Sequence, residues 1–391
     1  MSNNIPEIRF KGFTHAWEQR TLGEVIEDYI ERTTIRNQYP VLTSSQQKGI
    51  MLQEDYFANR QVTVDENIGY FILPRGYFTY RSRSDNDVFV FNRNDVIDKG
   101  IISYFYPVFN VKDVDSDFFL QRINNGIEHQ IAIAAEGTGQ HVLSLNKFKN
   151  ISALFPALEE QTAIGNFFRT LDDAITLHKR KLDKLKELKK AYLQKMYPQL
   201  GEKVPRVRFA GFTEPWVQRK LGEVVDRVTM QSNAVDLPKI EFEDIISGEG
   251  RLNKDILNKF DKRKGIVFEP NNILYGKLRP YLKNWLFTNF KGVALGDFWV
   301  LSARNSSPIF DYYLIQTEKY QEAANLSTGT KMPRADWNTV SATLFSIPKN
   351  KLEQDAIGNF FNSLDKQIAS MQQKLAQLKQ LKAAYLQKMF I

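Results

Sequence analysis

Two blocks of this chain are written twice. Pro6 to Ile26 (PEIRFKGFTHAWEQRTLGEVI) recurs as Pro205 to Val225 (PRVRFAGFTEPWVQRKLGEVV), identical at 13 of 21 positions, and Ala163 to Met196 recurs as Ala356 to Met389, identical at 21 of 34. Chance does not produce this, so the chain is a tandem duplication, and repetition on this scale constrains the fold before any local reading does. The offset falls from 199 residues in the first block to 193 in the second. The intervening segments, roughly 30–157 and 229–350, therefore differ in length, and they scarcely resemble each other. Each half is a kept frame around a changed insert, which suggests one machine reading two different things.

The second repeated block predicts a long helix with an apolar seam. Leu171, Ile175, His178, Leu182, Leu185, Lys189, Tyr192 and Met196 follow steps of four and three, and Leu364, Ile368, Met371, Leu375, Leu378, Lys382, Tyr385 and Met389 keep the same register. Extended back to Glu160 and Glu353, each helix runs for about 36 residues, on the order of 50 Å. A stripe that long would expose too much apolar surface alone. The simplest expectation is an antiparallel pairing of the two copies about a pseudo-two-fold axis. Packing of each stripe onto its own half, or coiling with other chains, remains open. Lys189 and Lys382 sit at equivalent seam positions, where a long side chain can snorkel or fix register. Lys179, Arg180, Lys181 and Lys184 read as solvated helix surface and are not assigned to a ligand.

The first block contributes Phe10, Phe13, Trp17 and Leu22, matched by Phe209, Phe212, Trp216 and Leu221, an apolar clasp made of ordinary core residues. Tyr197-Pro198-Gln199-Leu200-Gly201 ends the first helix and sets a boundary near residue 200. The expected order is a recognition domain at 1–157, a long helix at 158–197, a second domain with its linker at 198–350, and a second long helix at 351–391.

Within the inserts, β-rich runs are expected at Tyr70–Leu73, Val88–Phe91 and Ile101–Tyr106, and at Ile273–Tyr275, Trp285–Phe287 and Phe298–Leu301. A short helix is expected late in each, Asp117–Ile123 and Asp311–Thr317, sharing an Asp-aromatic-aromatic-Leu pattern. A glycine turn follows, Gly137-Thr138-Gly139-Gln140 in one insert and Thr328-Gly329-Thr330-Lys331 in the other. The fold class is α+β, two mixed α/β domains in tandem with two long helices.

With 391 residues, 53 Lys and Arg against 45 Asp and Glu, a net charge of +8 and a pI near 9.2, a polyanionic partner is permitted but not required. Tyr77, Tyr80, Arg81, Ser82, Arg83 and Ser84 form one polar cluster; Lys277, Arg279, Tyr281, Lys283 and Asn284 form its counterpart. With Gln140, Thr330 and Lys331 these are the groups able to read base edges or hold phosphates, although any one of them can be ordinary loop surface. Zero cysteines exclude disulfides and thiolate metal sites, and four scattered histidines make zinc improbable. No Walker-type loop is present, Gly137-Thr138-Gly139 lacks the following Lys and helix, and no Asn/Asp-Pro-Pro-aromatic string or nucleophile triad stands out. No run of 18 apolar residues occurs and Met1-Ser2-Asn3-Asn4 is no secretory signal, so a cytoplasmic location is expected.

Trp17 with Leu22-Gly23-Glu24, Trp216 with Leu221-Gly222-Glu223, the Pro156–Phe167 string with its Pro348–Phe360 copy, and Tyr275-Gly276-Lys277-Leu278-Arg279-Pro280-Tyr281-Leu282 together resemble the specificity (S) subunit of type I restriction-modification enzymes over nearly the whole chain. The last string is clear only in the second insert; the first offers Tyr80-Arg81-Ser82-Arg83. The resemblance implies two target recognition domains, each reading half of a split double-stranded DNA sequence, with the helices as spacer. It implies two methylation subunits as partners, holding S-adenosylmethionine, and restriction subunits using ATP and Mg that join in some systems. This chain itself would bind no cofactor and do no chemistry. A protein-interaction scaffold or a stand-alone DNA-modifying enzyme are the rival classes.

Overall fold

The computed structural model describes residues 4–57, 67–137, 139–199, 202–256, 261–326 and 331–390. They divide into two compact units, one formed by residues 1–178 with 374–391 and the other by 179–373. Both units are mixed α/β, and each takes part of both long helices, Leu158–Met196 and Lys351–Met389.

In the first unit a four-stranded antiparallel sheet runs in the order Ile26–Tyr29, Val108–Val111, Phe78–Tyr80, Phe91–Arg93. In the second the order is Val225–Val228, Phe298–Ala303, Ile273–Gly276, Trp285–Phe287, again antiparallel. The chain enters both sheets at the same edge and returns beside it. Glu18–Thr21 pairs with Ser152–Phe155 in the first unit, as Val217–Lys220 pairs with Leu344–Ile347 in the second. Inserts with little sequence in common thus build one sheet order inside one frame. The second unit adds a four-stranded mixed sheet, in which Lys239–Ile240 pairs parallel with Gly292–Ala294.

The repeated residues explain the common frame. Glu160 and Glu353 are each 1% exposed, and each accepts a hydrogen bond at 2.6 Å from the repeated arginine of the first block, Arg9 or Arg208. The neighbouring Gln161 and Gln354 accept the backbone N–H of Asp115 and Ser307 and donate to the carbonyls of Pro156 and Pro348. These residues tie the start of each long helix to the first block and to the short helix of its insert. Glycines make the approach possible. A Cβ on Gly165 would lie 2.4 Å from Asp115 Oδ1, and one on Gly358 would lie 2.5 Å from Ile309 Cγ2, so only glycine lets the short helix touch the long one.

An aromatic cluster fills each core beside this joint. Trp17 meets Phe118 edge-on at 6.0 Å, and Phe390, just after the second long helix, joins both. In the second unit Trp216 meets Phe310 edge-on at 6.2 Å and the third member is Tyr197, just after the first long helix; its hydroxyl donates to the Phe310 carbonyl. The clasp tryptophans and leucines are buried, whereas Phe10, Phe13, Phe209 and Phe212 are only partly covered.

Within each unit the two helical segments touch in opposite order along the chain. Phe167 packs on Tyr385 and Asp172 accepts from Lys382 at 2.7 Å in the first; Tyr192 packs on Phe360 and Asp365 accepts from Lys189 at 2.7 Å in the second. Both seam lysines are therefore ion-paired, to carboxylates that follow the repeated leucines 171 and 364. Along the seams Leu171, Leu182, Leu364, Ile368 and Leu375 are buried, and Ile175, Leu185 and Leu378 are partly covered.

The short helices correct one reading. They span Ser116–Asn124 and Pro308–Leu314, so the second begins three residues before the expected Asp311 and ends three before Thr317. Pro308 at its first turn is the start signal. Structural partners are Phe118 with Phe310, which places Asp117 opposite Ile309 and makes the shared Asp-aromatic-aromatic-Leu pattern a coincidence two residues out of register. The expected strand at Val88–Phe91 lies instead at Phe91–Arg93, and Ile101–Tyr106 stops at Ile102, where a turn leads to Val108–Val111. The expected strands of the second insert form at Ile273–Gly276, Trp285–Phe287 and Phe298–Ala303.

Candidate nucleic-acid interface

In each unit the chain leaving the third strand of the four-stranded sheet becomes a cation-bearing ledge. In the first unit Arg83–Ser84 pairs antiparallel with His141–Val142, and Ser82 is fixed from both sides: its N–H and hydroxyl donate to the Phe105 carbonyl, and its carbonyl accepts the N–H of Leu143. Two candidates far apart in sequence, the Arg81–Arg83 loop and the segment after the glycine turn, thus become neighbours. Gln140 donates to Asp85 at 3.0 Å and His141 pairs with Asp87 beside it. Arg83 lies over the Phe105 ring at 4.5 Å and its side chain stays exposed. Arg81 is exposed beside Tyr106, whose hydroxyl burial pushes above its usual pKa while the arginine pulls it back.

The second unit builds its ledge by the same pairing with different residues. Leu278 bridges Arg334 antiparallel, Arg279 N–H donates to the Pro333 carbonyl at 2.8 Å, and the N–H of Ala335 donates to the Lys277 carbonyl at 2.8 Å. Between the sheet strands, Pro280–Leu282 forms one 3-10 turn flanked by Arg279 at φ 49° and Lys283 at φ 55°. A left-handed conformation at two non-glycine residues costs about 1–2 kcal/mol each, and the surrounding hydrogen bonds hold it. The turn leaves Arg279, Tyr281 and Lys283 exposed together, with the Tyr281 ring half out in solvent. Asp297 sits behind the ledge, 3.5 Å from Lys277 Nζ and 3.0 Å from Arg334 Nη2.

Some candidates do not reach these ledges. Tyr80 is fully buried and its hydroxyl donates to the Leu143 carbonyl at 3.0 Å, with burial raising its pKa; it braces the ledge from inside. Asn284 is 8% exposed, its carbonyl accepting from Gly276, so it closes the loop. Tyr77 lies at the other end of the Phe78–Tyr80 strand, edge-on to Tyr29 at 4.8 Å. Lys331 is exposed and opens the described part of its segment, whereas Thr330 and Thr138 lie outside the described residues. Arg334 was not among the sequence candidates; its position three residues beyond Lys331 is the signal that could have found it.

Among the described residues no group of three or more metal-ligating side chains comes together, and no helix is long and apolar enough to cross a membrane. The model of the type I restriction modification DNA specificity domain matches residues 15–187 and again residues 213–380, most of the chain. The chain belongs to that family. Specificity-domain function, DNA recognition within a type I restriction-modification system, is therefore its general role. None of the curated proteins matches it in sequence. Among solved structures, the S subunit of a type I restriction-modification system from M. genitalium is similar at a TM-score of 0.63 and 13% identity, covering 99% of each chain, which supports the fold. The HsdS subunit from Thermoanaerobacter tengcongensis is 16% identical over 97% of each chain, at a TM-score of 0.43.

Proposed function

We propose that this specificity chain reads a bipartite duplex, one half-sequence by each ledge. The observation that carries this reading is the pair of ledges, alike in construction and unlike in side chains: Arg81, Arg83 and Gln140 in one unit, Lys277, Arg279, Tyr281, Lys283 and Arg334 in the other. Arginine and lysine reach guanine O6 and N7, glutamine suits adenine, and an exposed tyrosine supplies apolar contact. A common scaffold with interchangeable side chains supports two addresses for one assembly.

In this reading residues 1–157 and 198–350 are the two recognition domains, and the helices at 158–197 and 351–391 form an antiparallel coiled coil with pseudo-two-fold symmetry. A 39-residue helix is about 58 Å long. DNA repeats about every 34 Å, so such a spacer suits two readers separated by a few unread base pairs. The helices also recruit two methylation subunits, which hold S-adenosylmethionine and methylate adenine, and restriction subunits using ATP and Mg can join them. The chain selects the site in the cytoplasm and leaves the chemistry to these partners.

The test is to exchange residues 30–150 for the insert of another family member, assemble the chain with methylation subunits and map methylated adenines across a genome. One half-sequence is expected to change while the other and the spacing stay. An unchanged site overturns the proposal.

A further inference from the structure

The second unit contains a cleft of about 560 Å³ that the ledges do not account for. It lies between the Pro280–Leu282 turn, the hairpin of Ile245–Ile246 with Arg251–Leu252, and the helical segments of that same unit. Five cationic side chains line it (Lys186, Lys189, Lys190, Arg251 and Lys283) against three acidic ones (Glu249, Glu318 and Asp365). Two of the acids are already committed: Asp365 pairs with Lys189, and Glu249 pairs with Arg251 at 2.7 Å while accepting from Gln372. Lys186, Lys190 and Lys283 have no ion-pair partner among the described residues, although Lys186 is near enough to Glu249 to help hold its carboxyl below the usual value. Glu318 is the remaining carboxylate on the wall. Trp285, 4% exposed, also lines the cleft, and its indole Nε1–H is buried with no acceptor.

Three uncommitted ammonium groups on the wall of one cleft make a site suited to an anion with several acceptor oxygens. Lys283 belongs both to this wall and to the ledge, so a strand lying on the ledge is continuous with the cleft. We propose that the cleft binds phosphate groups of a DNA strand leaving the second ledge, as an anchor indifferent to base sequence. This rests on DNA being the ligand of the ledge. The helix lysines then divide by face. Lys186 and Lys190 are phosphate ligands, whereas Lys179 and Lys181, which do not line the cleft, are solvated surface.

The test measures binding of the full chain, alone and assembled with methylation subunits, to a fluorescent duplex across a salt series. Lys186→Ala/Lys190→Ala is compared with Lys179→Ala/Lys181→Ala, which removes equal charge from the same helix; all four residues are exposed, and circular dichroism checks the fold. The cleft pair is expected to weaken binding on the order of tenfold near 0.1 M salt and to lower the salt slope by about two, equally on cognate and scrambled duplexes, with the methylated sequence unchanged. Inorganic phosphate and a free nucleotide serve as competitors, and competition by either well below ionic-strength effects would assign the cleft to a free phosphorylated ligand and overturn the DNA assignment. Equal losses for both pairs, no loss for either, or loss of methylation subunits with DNA affinity intact would also overturn it. Failure of the wild type to prefer cognate duplex would instead count against the half-site reading.

Discussion

The two units solve the same structural problem with the same frame residues and then diverge in their polar chemistry. Arg9–Glu160 and Arg208–Glu353, Gly165 and Gly358, Gln161 and Gln354 make equivalent contacts in each. Away from the frame the backbone plan persists and the side-chain correspondence ends. The short helix of the first unit carries Asp117, ion-paired with Arg93 and Arg169, whereas that of the second carries Asp311, fully buried against Ser306 with one carboxylate oxygen unpartnered. The first ledge stacks an arginine on a ring, and the second strains two residues into a turn. The frame fixes where a ledge sits and leaves its side chains free to vary, which is what a scaffold with exchangeable addresses requires.

The largest expected effect tests the equivalence of the frames. Replacing Glu160 or Glu353 by alanine leaves a mostly buried arginine without its partner, at a cost of about 3–5 kcal/mol in denaturant unfolding. Glu353→Ala should cost more, because Glu353 also accepts the indole N–H of Trp216 at 3.1 Å, while the Trp17 indole has no such partner. A larger loss for Glu160→Ala would break the comparison.

Next come the helix glycines. Alanine favours a helix by about 1 kcal/mol over glycine, yet Gly165→Ala and Gly358→Ala should each destabilise by about 1–3 kcal/mol, because the added methyl meets the short helix. Stabilisation of either variant in thermal unfolding would mean that the joint is looser than described.

A smaller effect separates the units by pH. Burial raises the Asp311 carboxyl well above its usual range. Its folded pKa exceeds its unfolded one, so its contribution to stability is fully present below the unfolded pKa and is lost as pH rises toward the folded value. Asp311→Asn should flatten that decline and leave the protein about 1 kcal/mol or more stabler at neutral pH. Unfolding curves between pH 4 and 8 check this; a steeper decline in the variant would contradict it.

Much of the frame was legible because it is written twice and because a seam of 3.5-residue period has few alternatives. The helices expected to begin near Glu160 and Glu353 begin at Leu158 and Lys351. The ledges were legible only as polar clusters. Tyr80 counts as a polar reader by type, yet its ring is core and its hydroxyl is used internally by a carbonyl 63 residues away. Arg334 stood out only by lying three residues beyond Lys331, and strand pairing is what brings it to Leu278. Short strands in the first insert shifted because three- and four-residue runs carry too little periodicity to fix register, and the apparent echo of Asp117 in Asp311 misled for the same reason.

The central claim is that each ledge reads its own half of one site. The most direct measurement maps methylated adenines for two variants of the assembled complex, Arg81→Ala/Arg83→Ala in the first ledge and Lys277→Ala/Arg279→Ala in the second. The account predicts relaxed base preference confined to one half-sequence for the first variant and to the other half for the second, about 1–3 kcal/mol of discrimination lost per base contact, with spacing unchanged. Relaxation of the same positions by both variants, or of none by either, would contradict it.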